Sequence, residues 1–306
     1  MADTRPTFHV PVLLDAVLAA AEGARRAVDA TLGDGGHAAA LLERGMHVLG
    51  IDRDPEALAI SRARLGTGRI QYLLAPYASP MALAAAHQFS PEFILLDLGV
   101  SSRQLDQEAR GFTFRPGAPL DMRMGAGGQS AADMLNTAPE EDLEAVFREY
   151  GDERRAHRLA SEIVRRRGRQ PFATSDDLVN AIRATLGAKA GPPEFARLFQ
   201  AVRMAVNDEA PQLEEALSGF RDALKPGGRL SIITYHSGED RRVKQSFRDW
   251  AQSCVCPPGF PVCVCRGRAL GRLETRKPVL PDADEVTANP RARSAKLRTF
   301  RLADAA

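Results

Sequence analysis

Residues 27–38 read AVDATLGDGGHA, an apolar run that ends in a cluster of glycines. The first six residues have the short apolar pattern of a buried strand, and a helix-like stretch begins at residue 37. A strand, a glycine turn and a helix N-terminus let a ligand approach the backbone closely and meet free N–H donors. This segment therefore predicts a ligand-binding turn at the start of an α/β domain.

Strands and helices alternate from this segment to about residue 100. The predicted elements are strands at 27–32, 47–52, 70–74 and 93–99 and helices at 37–45, 55–65 and 79–88. This alternation predicts βαβ units and a parallel sheet. A Pro-Gly-Gly turn at 226–228, with strands predicted at 229–235 and 297–302, indicates that the sheet resumes near the C-terminus.

Helical patterns without strands separate the two parts of the sheet. Residues 106–130 are rich in glycine, proline and charge and indicate a loop. Helices are predicted at 137–150, 152–167, 176–186 and 195–224, the last with a break near Pro211. We therefore predict a discontinuous α/β domain at 1–105 and 200–306, interrupted by an all-helical domain at 106–199.

Three aspartates lie at the ends of predicted strands. Asp29 precedes the glycine turn, Asp52 follows Gly33 by 19 residues, and Asp97 ends the fourth strand. Ligands of open parallel sheets bind beyond the carboxyl ends of the strands, so we expect these three carboxylates around one crevice. The position of Asp52 is one from which a carboxylate accepts hydrogen bonds from ribose hydroxyls.

Two other interpretations of the glycine turn remain open from these residues. Gly33, Gly35 and Ala38 also satisfy the dinucleotide fingerprint, which would indicate a nicotinamide-dependent oxidoreductase, and an ordinary tight turn is the third interpretation. Asp29 favours a ligand with a cationic amine over a pyrophosphate. The run LKPGGRL at 224–230 is common before the fifth strand of AdoMet-dependent methyltransferases, where AdoMet is S-adenosyl-L-methionine.

Composition bounds the remaining possibilities. The chain has 306 residues, of which 44% are hydrophobic, and no window approaches the roughly 18 uninterrupted apolar residues of a membrane span. The N-terminus has no apolar signal-peptide region, so we expect a cytoplasmic protein without a membrane partner. Residues 1–150 have 13 basic and 20 acidic side chains, whereas residues 151–306 have 28 and 19. The basic half predicts a polyanion partner, with solvated helix faces as the alternative.

Two clusters of basic residues are candidates for phosphate contacts, which give affinity and salt dependence rather than sequence choice. The first comprises Arg154, Arg155, Arg158, Arg165, Arg166, Arg167 and Arg169, and the second comprises Arg291, Arg293, Lys296 and Arg298.

The four cysteines form one motif, CVCPPGFPVCVC at 254–265. Residues two apart on a strand point to one face, so a hairpin would present the thiols of Cys254, Cys256, Cys263 and Cys265 together. The spacing predicts a structural zinc site, with free thiols on a loop as the alternative. Disulfides are disfavoured in a reducing cytosol.

Taken together, the motifs resemble one family, the bacterial small-subunit (16S) rRNA (cytosine-N4)-methyltransferases called RsmH or MraW. The resemblance covers nearly the whole chain in the right order. The matching stretches are HVPVLL (9–14), DATLGDGGH (29–37), GIDRD (50–54), LDLGVSSRQLD (96–106), RGFTF (110–114), PLDMRM (119–124), FQAVR (199–203), YHSGEDR (235–241) and NPRARS (289–294).

The resemblance implies a class I AdoMet-dependent methyltransferase (Rossmann-like) fold with an inserted helical domain. It implies methyl transfer from AdoMet to N4 of a cytidine in the decoding region of 16S rRNA, with the small ribosomal subunit as partner. It also implies AdoMet-binding residues, with Asp52 at the ribose and Tyr77 where the family usually has Phe near the adenine. The implied set is Gly35, Gly36, His37, Asp52, Tyr77, Asp97 and Gln104.

A mechanism follows from the weak nucleophilicity of the cytosine amine. We expect Asp97 to accept a hydrogen bond from the amine and His236 to take its proton, with a structural histidine as the alternative. The Pro-Pro-aromatic run that follows the acid in many amino-methyltransferases is absent. The aromatic residues that would stack the base instead are Phe112, Phe114, Tyr235 and His236, with Phe112 and Phe114 alternatively serving as loop anchors.

A non-enzymatic alternative is an RNA-binding ribosome-assembly factor with a vestigial pocket. The sequence leaves the oligomeric state open, a homodimer included.

Overall fold

The computed structural model describes residues 11–256, 262 and 264–305. The chain forms two compact units, one comprising Met1–Gly99 with Pro211–Ala306 and the other Val100–Ala210. The helices are α1 (Leu14–Ala20), α2 (Gly36–Glu43), α3 (Pro55–Leu65), α4 (Pro80–Phe89), α5 (Ser102–Asp106), α6 (Ala131–Thr137), α7 (Glu140–Glu149), α8 (Ala156–Arg167), α9 (Ser175–Leu186), α10 (Pro192–Val206), α11 (Glu209–Ala223), α12 (Ser237–Ala251) and α13 (Ala283–Ala288). Short 3-10 helices lie at Glu108–Arg110 and Pro290–Ser294.

The first unit contains a seven-stranded sheet in the order β3-β2-β1-β4-β5-β7-β6. The pairs from β3 to β5 are parallel, and β7 runs antiparallel to both β5 and β6. The strand order reverses between β1 and β4, so the carboxyl ends of these two strands flank a crevice where ligands bind in such sheets. The strands are β1 (Arg26–Asp29), β2 (His47–Asp52), β3 (Ile70–Leu74), β4 (Phe93–Asp97), β5 (Arg229–Thr234), β6 (Gly271–Leu273) and β7 (Lys296–Leu302).

Alternating side chains of the central strands enter two separate hydrophobic cores. In β4, Ile94 and Leu96 belong to one core, whereas Phe93 and Leu95 belong to the other. All four are fully buried. Helices α4, α11 and α12 contribute to the first core, and α1, α2 and α3 contribute to the second. The apolar runs predicted as strands are thus buried on both faces, as expected for a parallel sheet.

The second unit is helical and has its own core. Helices α6 to α10 enclose the fully buried side chains of Leu135, Phe147, Leu159, Ile163 and Leu198. The predicted insert at 106–199 lies inside this unit, but its boundaries differ. The second boundary differs because α10 continues past residue 199 and buries Ala201 and Val202 in the same core.

Some element boundaries also differ from prediction. The first strand ends at Asp29 rather than at Leu32, although Ala30 N–H still donates to the Leu95 carbonyl and Leu32 N–H to that of Ile51, each at 2.9 Å. The backbone there bends toward the glycine turn while remaining hydrogen-bonded to both neighbours. The predicted break near Pro211 falls at 207–208, where Asp208 has a φ of 51°. Within the described residues, no helix has the length and apolar character needed to cross a bilayer.

Candidate active site

The glycine turn after β1 is held in place by two hydrogen bonds to Gly33. Gly33 N–H donates to Oδ2 of Asp52 at 2.7 Å, and the Gly33 carbonyl accepts from the Ser61 hydroxyl at 2.6 Å. Gly33 and Gly35 have φ values of 53° and 78°, in the left-handed region that favours glycine. The turn then leads directly into α2, which begins at Gly36.

The glycines of this turn differ in how much space a side chain would have at each position. A Cβ on Gly35 would lie 2.7 Å from Cδ1 of Leu65, and one on Gly36 would lie 2.7 Å from Cγ of Pro11. The contact at Gly36 is with the ring of Pro11, so packing favours glycine there, whereas the neighbour of Gly35 is the end of a flexible leucine side chain and the left-handed φ is the stronger constraint. A Cβ on Gly33 would meet nothing nearer than the Thr31 carbonyl oxygen at 3.9 Å. The open side of the turn, where a ligand can approach, is thus at Gly33.

Asp52 lies at the end of β2 and faces this turn. Its Oδ2 accepts from Gly33 N–H, and its Oδ1 accepts from Asp54 N–H at 2.8 Å. The two bonds fix the orientation of the carboxylate. This position agrees with the predicted role of Asp52 as an acceptor for sugar hydroxyls, which itself stays a prediction.

Asp97 lies at the end of β4 and contacts residues that follow two neighbouring strands. Its backbone N–H donates to Oγ1 of Thr31 at 2.6 Å, and its Oδ1 accepts from the Tyr235 hydroxyl at 2.8 Å. The parallel register explains the second contact, because Asp97 pairs with Ile233 in β5, two residues before Tyr235. The Asp97 side chain is 24% exposed, so the carboxylate is accessible from solvent.

His37 lies in the first turn of α2, between Val12 and Asp97. Its Nε2 lies 2.9 Å from the Val12 carbonyl oxygen, which assigns the proton to Nε2. Its Nδ1 lies 3.9 Å from Oδ2 of Asp97. Burial lowers the pKa of His37, so the ring is neutral at pH 7 and Nδ1 carries a lone pair.

Two carboxylates at this edge of the sheet, those of Asp29 and Asp97, have raised pKa values. Burial raises the pKa of Asp29 to about 6, and the charges of Asp97 and Asp52 add to the rise. Burial likewise raises the pKa of Asp97 to about 7, against the hydrogen bond from Tyr235. The pKa of Tyr235 is raised by burial and by Asp97, so its hydroxyl stays protonated and donates. A cationic ligand would relieve this repulsion, so the cluster is suited to one.

Comparison with known proteins identifies the family. A profile of the MraW methylase family matches residues 6–303. The chain belongs to the MraW methylase family.

Relatives in this family match over their whole length. The ribosomal RNA small subunit methyltransferase H of Gemmatimonas aurantiaca is 57% identical over 302 residues, which cover 97% of this chain and 96% of that protein. The protein of the same name from Heliobacterium modesticaldum is 45% identical over 95% of this chain and 97% of its own length. Among solved structures, an rRNA methylase from Streptococcus thermophilus covers 95% of this chain and 94% of its own, with 12% identity and a TM-score of 0.41.

In this member of the MraW methylase family, His236 caps the N-terminus of α12. Its Nδ1 accepts from Glu239 N–H at 3.4 Å, and its Nε2 lies 3.1 Å from Oε1 of Glu239. Oε2 of the same buried carboxylate accepts from the backbone N–H groups of Tyr235 and His236. Nδ1 is thus hydrogen-bonded within the first turn of the helix, whereas Nε2 is buried and has no hydrogen-bond partner in the described part of the chain. The cap at Nδ1 favours the structural alternative for His236, and its catalytic role stays a prediction.

Tyr77 lies in the sheet unit, whereas Gln104 lies in the helical unit. Tyr77 follows β3 and packs, half-buried, against the first core of the sheet unit. Gln104 lies in the helical unit, where its Oε1 accepts from Ser101 N–H and its Nε2 donates to the Met124 carbonyl. Their contacts with AdoMet stay predictions.

The aromatic residues proposed to stack the base have different surroundings. Phe112 and Phe114 pack against the core of the helical unit. The ring of Phe114 makes edge contacts with Phe195 at 5.9 Å and Phe199 at 6.0 Å. These contacts support the interpretation of both residues as loop anchors.

The first basic cluster divides into paired and exposed arginines. Arg165 and Arg166 both form ion pairs with Glu162 at 2.6 Å. The guanidinium groups of Arg155 and Arg167 donate to backbone carbonyls in or next to α9 and α6. Arg154, Arg158 and Arg169 are exposed, and their side chains form neither an ion pair nor a hydrogen bond in the described part of the chain.

The second basic cluster is also partly internal. Arg298 is buried and binds Asp240 through Nε at 2.7 Å and Nη2 at 3.3 Å, and Lys296 lies 3.6 Å from the same carboxylate. The prediction that Arg298 contacts RNA is therefore wrong, because its charge is neutralised inside the sheet unit. Arg291 and Arg293 are exposed.

Sequence reasoning named Tyr235 only as a residue that would stack the base, and missed its hydrogen bond to Asp97. The available signal was the position of Tyr235 directly after β5, since β5 pairs with the strand that ends in Asp97.

Proposed function

We propose that this chain transfers a methyl group from AdoMet to N4 of a cytidine in the decoding region of 16S rRNA. The observation that carries the proposal is the 57% identity, over 97% of the chain, to a protein named ribosomal RNA small subunit methyltransferase H. The whole-length match to a methylase family also favours this function over a nicotinamide-dependent oxidoreductase.

The acidic cluster fits AdoMet, which carries a positive sulfonium and a positive amino group. Asp29 and Asp97 provide negative charge, and their raised pKa values mean that a cation is the ligand that stabilises their ionised forms. Asp52, fixed by Gly33 and Asp54, offers acceptor lone pairs to the ribose hydroxyls. The open side of Gly33 permits close approach to the backbone.

When bound, AdoMet supplies an activated methyl group, so the protein has no electrophile to create. The chain must instead hold the cytosine amine in line with the bond between the methyl carbon and the sulfur of AdoMet, which is the bond that breaks. Asp97 is suited to accept a hydrogen bond from this amine, because it ends a strand at the crevice and remains partly exposed. The Tyr235 hydroxyl occupies Oδ1 and holds the carboxylate in one orientation.

The proton balance assigns a second task to Asp97. As the nitrogen forms its bond to the methyl carbon, it loses one of its two protons. A carboxylate with a pKa of about 7 is a better base than an ordinary aspartate and can take that proton at neutral pH. Neutral His37, with Nδ1 3.9 Å from Oδ2 of Asp97, lies on the same side of the carboxylate.

The proposed substrate is rRNA, whose phosphates would need basic side chains at the surface. Exposed arginines are suited to phosphate contacts, and they are Arg154, Arg158, Arg169, Arg291 and Arg293. The proposal places the enzyme with the small ribosomal subunit in the cytoplasm.

The test is transfer of label from AdoMet to small ribosomal subunits whose rRNA lacks the modification. We expect label in 16S rRNA with the purified chain and none with Asp97→Ala, which keeps the fold. Calorimetric titration with AdoMet and with NAD runs alongside. Binding of NAD without AdoMet would contradict the methyltransferase, and absence of label in rRNA at every stage of assembly would favour the non-enzymatic assembly factor.

A further inference from the structure

We propose that Cys254, Cys256 and Cys265 bind a structural zinc ion, a property independent of the methyl transfer proposed above. The three Sγ atoms all lie within 4.8 Å of one another. All three cysteines are free of disulfide bonds. The fourth cysteine of the motif, Cys263, lies outside the described residues, so the proposal rests on these three thiols.

The sulfur spacing fits a shared metal. A tetrahedral zinc ion with Zn–S bonds of about 2.3 Å places its sulfur ligands about 3.8 Å apart. The Sγ atoms of Cys254 and Cys265 are 3.8 Å apart. A disulfide would require about 2.05 Å. This pair of thiols therefore already has the separation that one zinc ion imposes, and the Cys256 thiol lies within 4.8 Å of both.

The described residues of the segment that carries these thiols form no hydrophobic core of their own, and of them Leu270 packs against the first core of the sheet unit. The segment connects α12 to β6, and none of its described residues between 252 and 270 is buried. Val255, Val262 and Val264 are 45%, 67% and 74% exposed. Burial of apolar surface thus contributes little to ordering this segment. Metal coordination is the means by which small segments without a core become ordered.

Local hydrogen bonds hold the thiols in this arrangement. The Val255 N–H donates to Sγ of Cys265 at 3.3 Å, the kind of amide-to-sulfur bond that orients a metal-binding thiolate. The Arg266 side chain donates to the carbonyls of Asp249 and Gln252. Both ends of the segment are thereby attached to the end of α12, and the cysteines converge between them.

The ligand chemistry selects the ion. Three sulfur ligands, with no carboxylate or imidazole in the group within the described residues, favour a soft or borderline metal over magnesium or calcium. Zinc has no redox chemistry and prefers tetrahedral sites rich in thiolate. A structural role follows from the location of the site on a connection, because the residues that we assign to methyl transfer lie elsewhere.

The first experiment measures metal in the full chain, produced without an affinity tag in zinc-supplemented medium. We expect about one zinc ion per chain by mass spectrometry of the elements. The double variant Cys254→Ser with Cys265→Ser should lose the metal, and the matched control Ser253→Ala, at an exposed neighbour, should retain it. Cobalt substituted for zinc should give a thiolate-to-metal charge-transfer band and the visible bands of a tetrahedral site.

The second experiment measures whether zinc orders the segment at 252–270, and it does not depend on enzymatic activity. Removal of zinc by a chelator should increase hydrogen exchange in peptides from 252–270 and leave peptides from β1 to β5 unchanged. Three results would overturn the proposal: reduced protein that retains no zinc after gel filtration, a Cys254–Cys265 disulfide in the purified protein, or equal zinc in the double variant. None of these results bears on methyl transfer.

Discussion

The hydroxyl of Tyr235 donates a hydrogen bond of 2.8 Å to Oδ1 of Asp97. This bond links the residue after β5 to the last residue of β4, and it lowers the pKa of Asp97 whereas burial raises it. It therefore controls both the orientation and the protonation of the residue that we propose to receive the amine proton.

Replacing Tyr235 by phenylalanine should slow methyl transfer by about 2- to 10-fold at neutral pH, the value of one buried hydrogen bond. Without the bond, the pKa of Asp97 rises further, so the acidic limb of the pH–rate profile should move to higher pH. Single-turnover assays across the pH range measure both effects. Tyr72→Phe is the matched control, since its hydroxyl donates to the Gly66 carbonyl at 2.6 Å. An unchanged acidic limb in Tyr235→Phe would contradict the role of the bond.

Replacing Asp97 by asparagine should stabilise the fold at alkaline pH while reducing transfer by about 10²- to 10⁴-fold. The native carboxyl holds its proton up to about pH 7, whereas the unfolded one loses it near 3.8. Because the native state binds the extra proton in this window, the free energy of unfolding falls as pH rises through it. Asparagine removes that loss, so its Tm should exceed that of the wild type by about 2–6 °C near pH 8.

Calorimetry at about pH 3 is the control for this variant, because the Asp97 carboxyl of the wild type is then mostly protonated in both the native and the unfolded state. An equal change in Tm at both pH values would show that the effect does not arise from ionisation of Asp97.

Affinity for AdoMet should rise with pH between about 5.5 and 7.5, by up to about tenfold per unit for each proton displaced. Asp29 and Asp97 must ionise to bind a cation, and their pKa values of about 6 and about 7 set this window. Titration calorimetry in buffers of different ionisation enthalpy should therefore detect proton release on binding. Affinity that is independent of pH, with no proton released, would exclude the acidic cluster from ligand binding.

Alanine at Gly35 should destabilise the protein by about 1–3 kcal/mol, because the new Cβ would overlap Leu65 in a left-handed backbone conformation. Alanine at Gly33 would also be strained by the left-handed φ but has space for its Cβ, so we expect a smaller loss of stability than at Gly35 and a larger loss of AdoMet affinity. Urea unfolding and titration calorimetry distinguish the two variants. The same ratio of stability loss to affinity loss in both would contradict the different roles given to these glycines.

Alanine at both Arg154 and Arg158 should weaken binding to rRNA and reduce the salt dependence of the association constant by about one ion per arginine. The control is Arg165→Ala, since Arg165 is already paired with Glu162. Binding measured over a range of salt concentrations compares the variants. An unchanged slope for the double variant would remove this surface from the RNA interface.

The fold was largely predictable because its strands are short apolar runs buried on both faces, as in FILLD at 93–97. The short strand β6 and helix α13 were not predicted, since a three-residue strand has no periodicity and Ala283–Ala288 buries no side chain. The C-terminal antiparallel strand β7 was found because LRTFRL alternates. Boundaries of the helical unit were less predictable, because only tertiary packing shows that Ala201 and Val202 belong to its core.

The candidate site was predictable where a residue type follows a strand, as for Asp52 and Asp97. Hydrogen-bond partners that depend on how strands pair were not predictable, and for this reason the bond from Tyr235 to Asp97 was missed. The charge pattern overestimated the RNA surface, because sequence does not show that Arg298 is neutralised by Asp240.

The most direct test of the central claim is mass mapping of 16S rRNA after reaction with purified protein and AdoMet. We expect one fragment from the decoding region to gain a single methyl group, and digestion to nucleosides should locate this group on N4 of a cytidine. A methyl group on another atom or base, or no gain of mass while AdoMet binds normally, would contradict the claim.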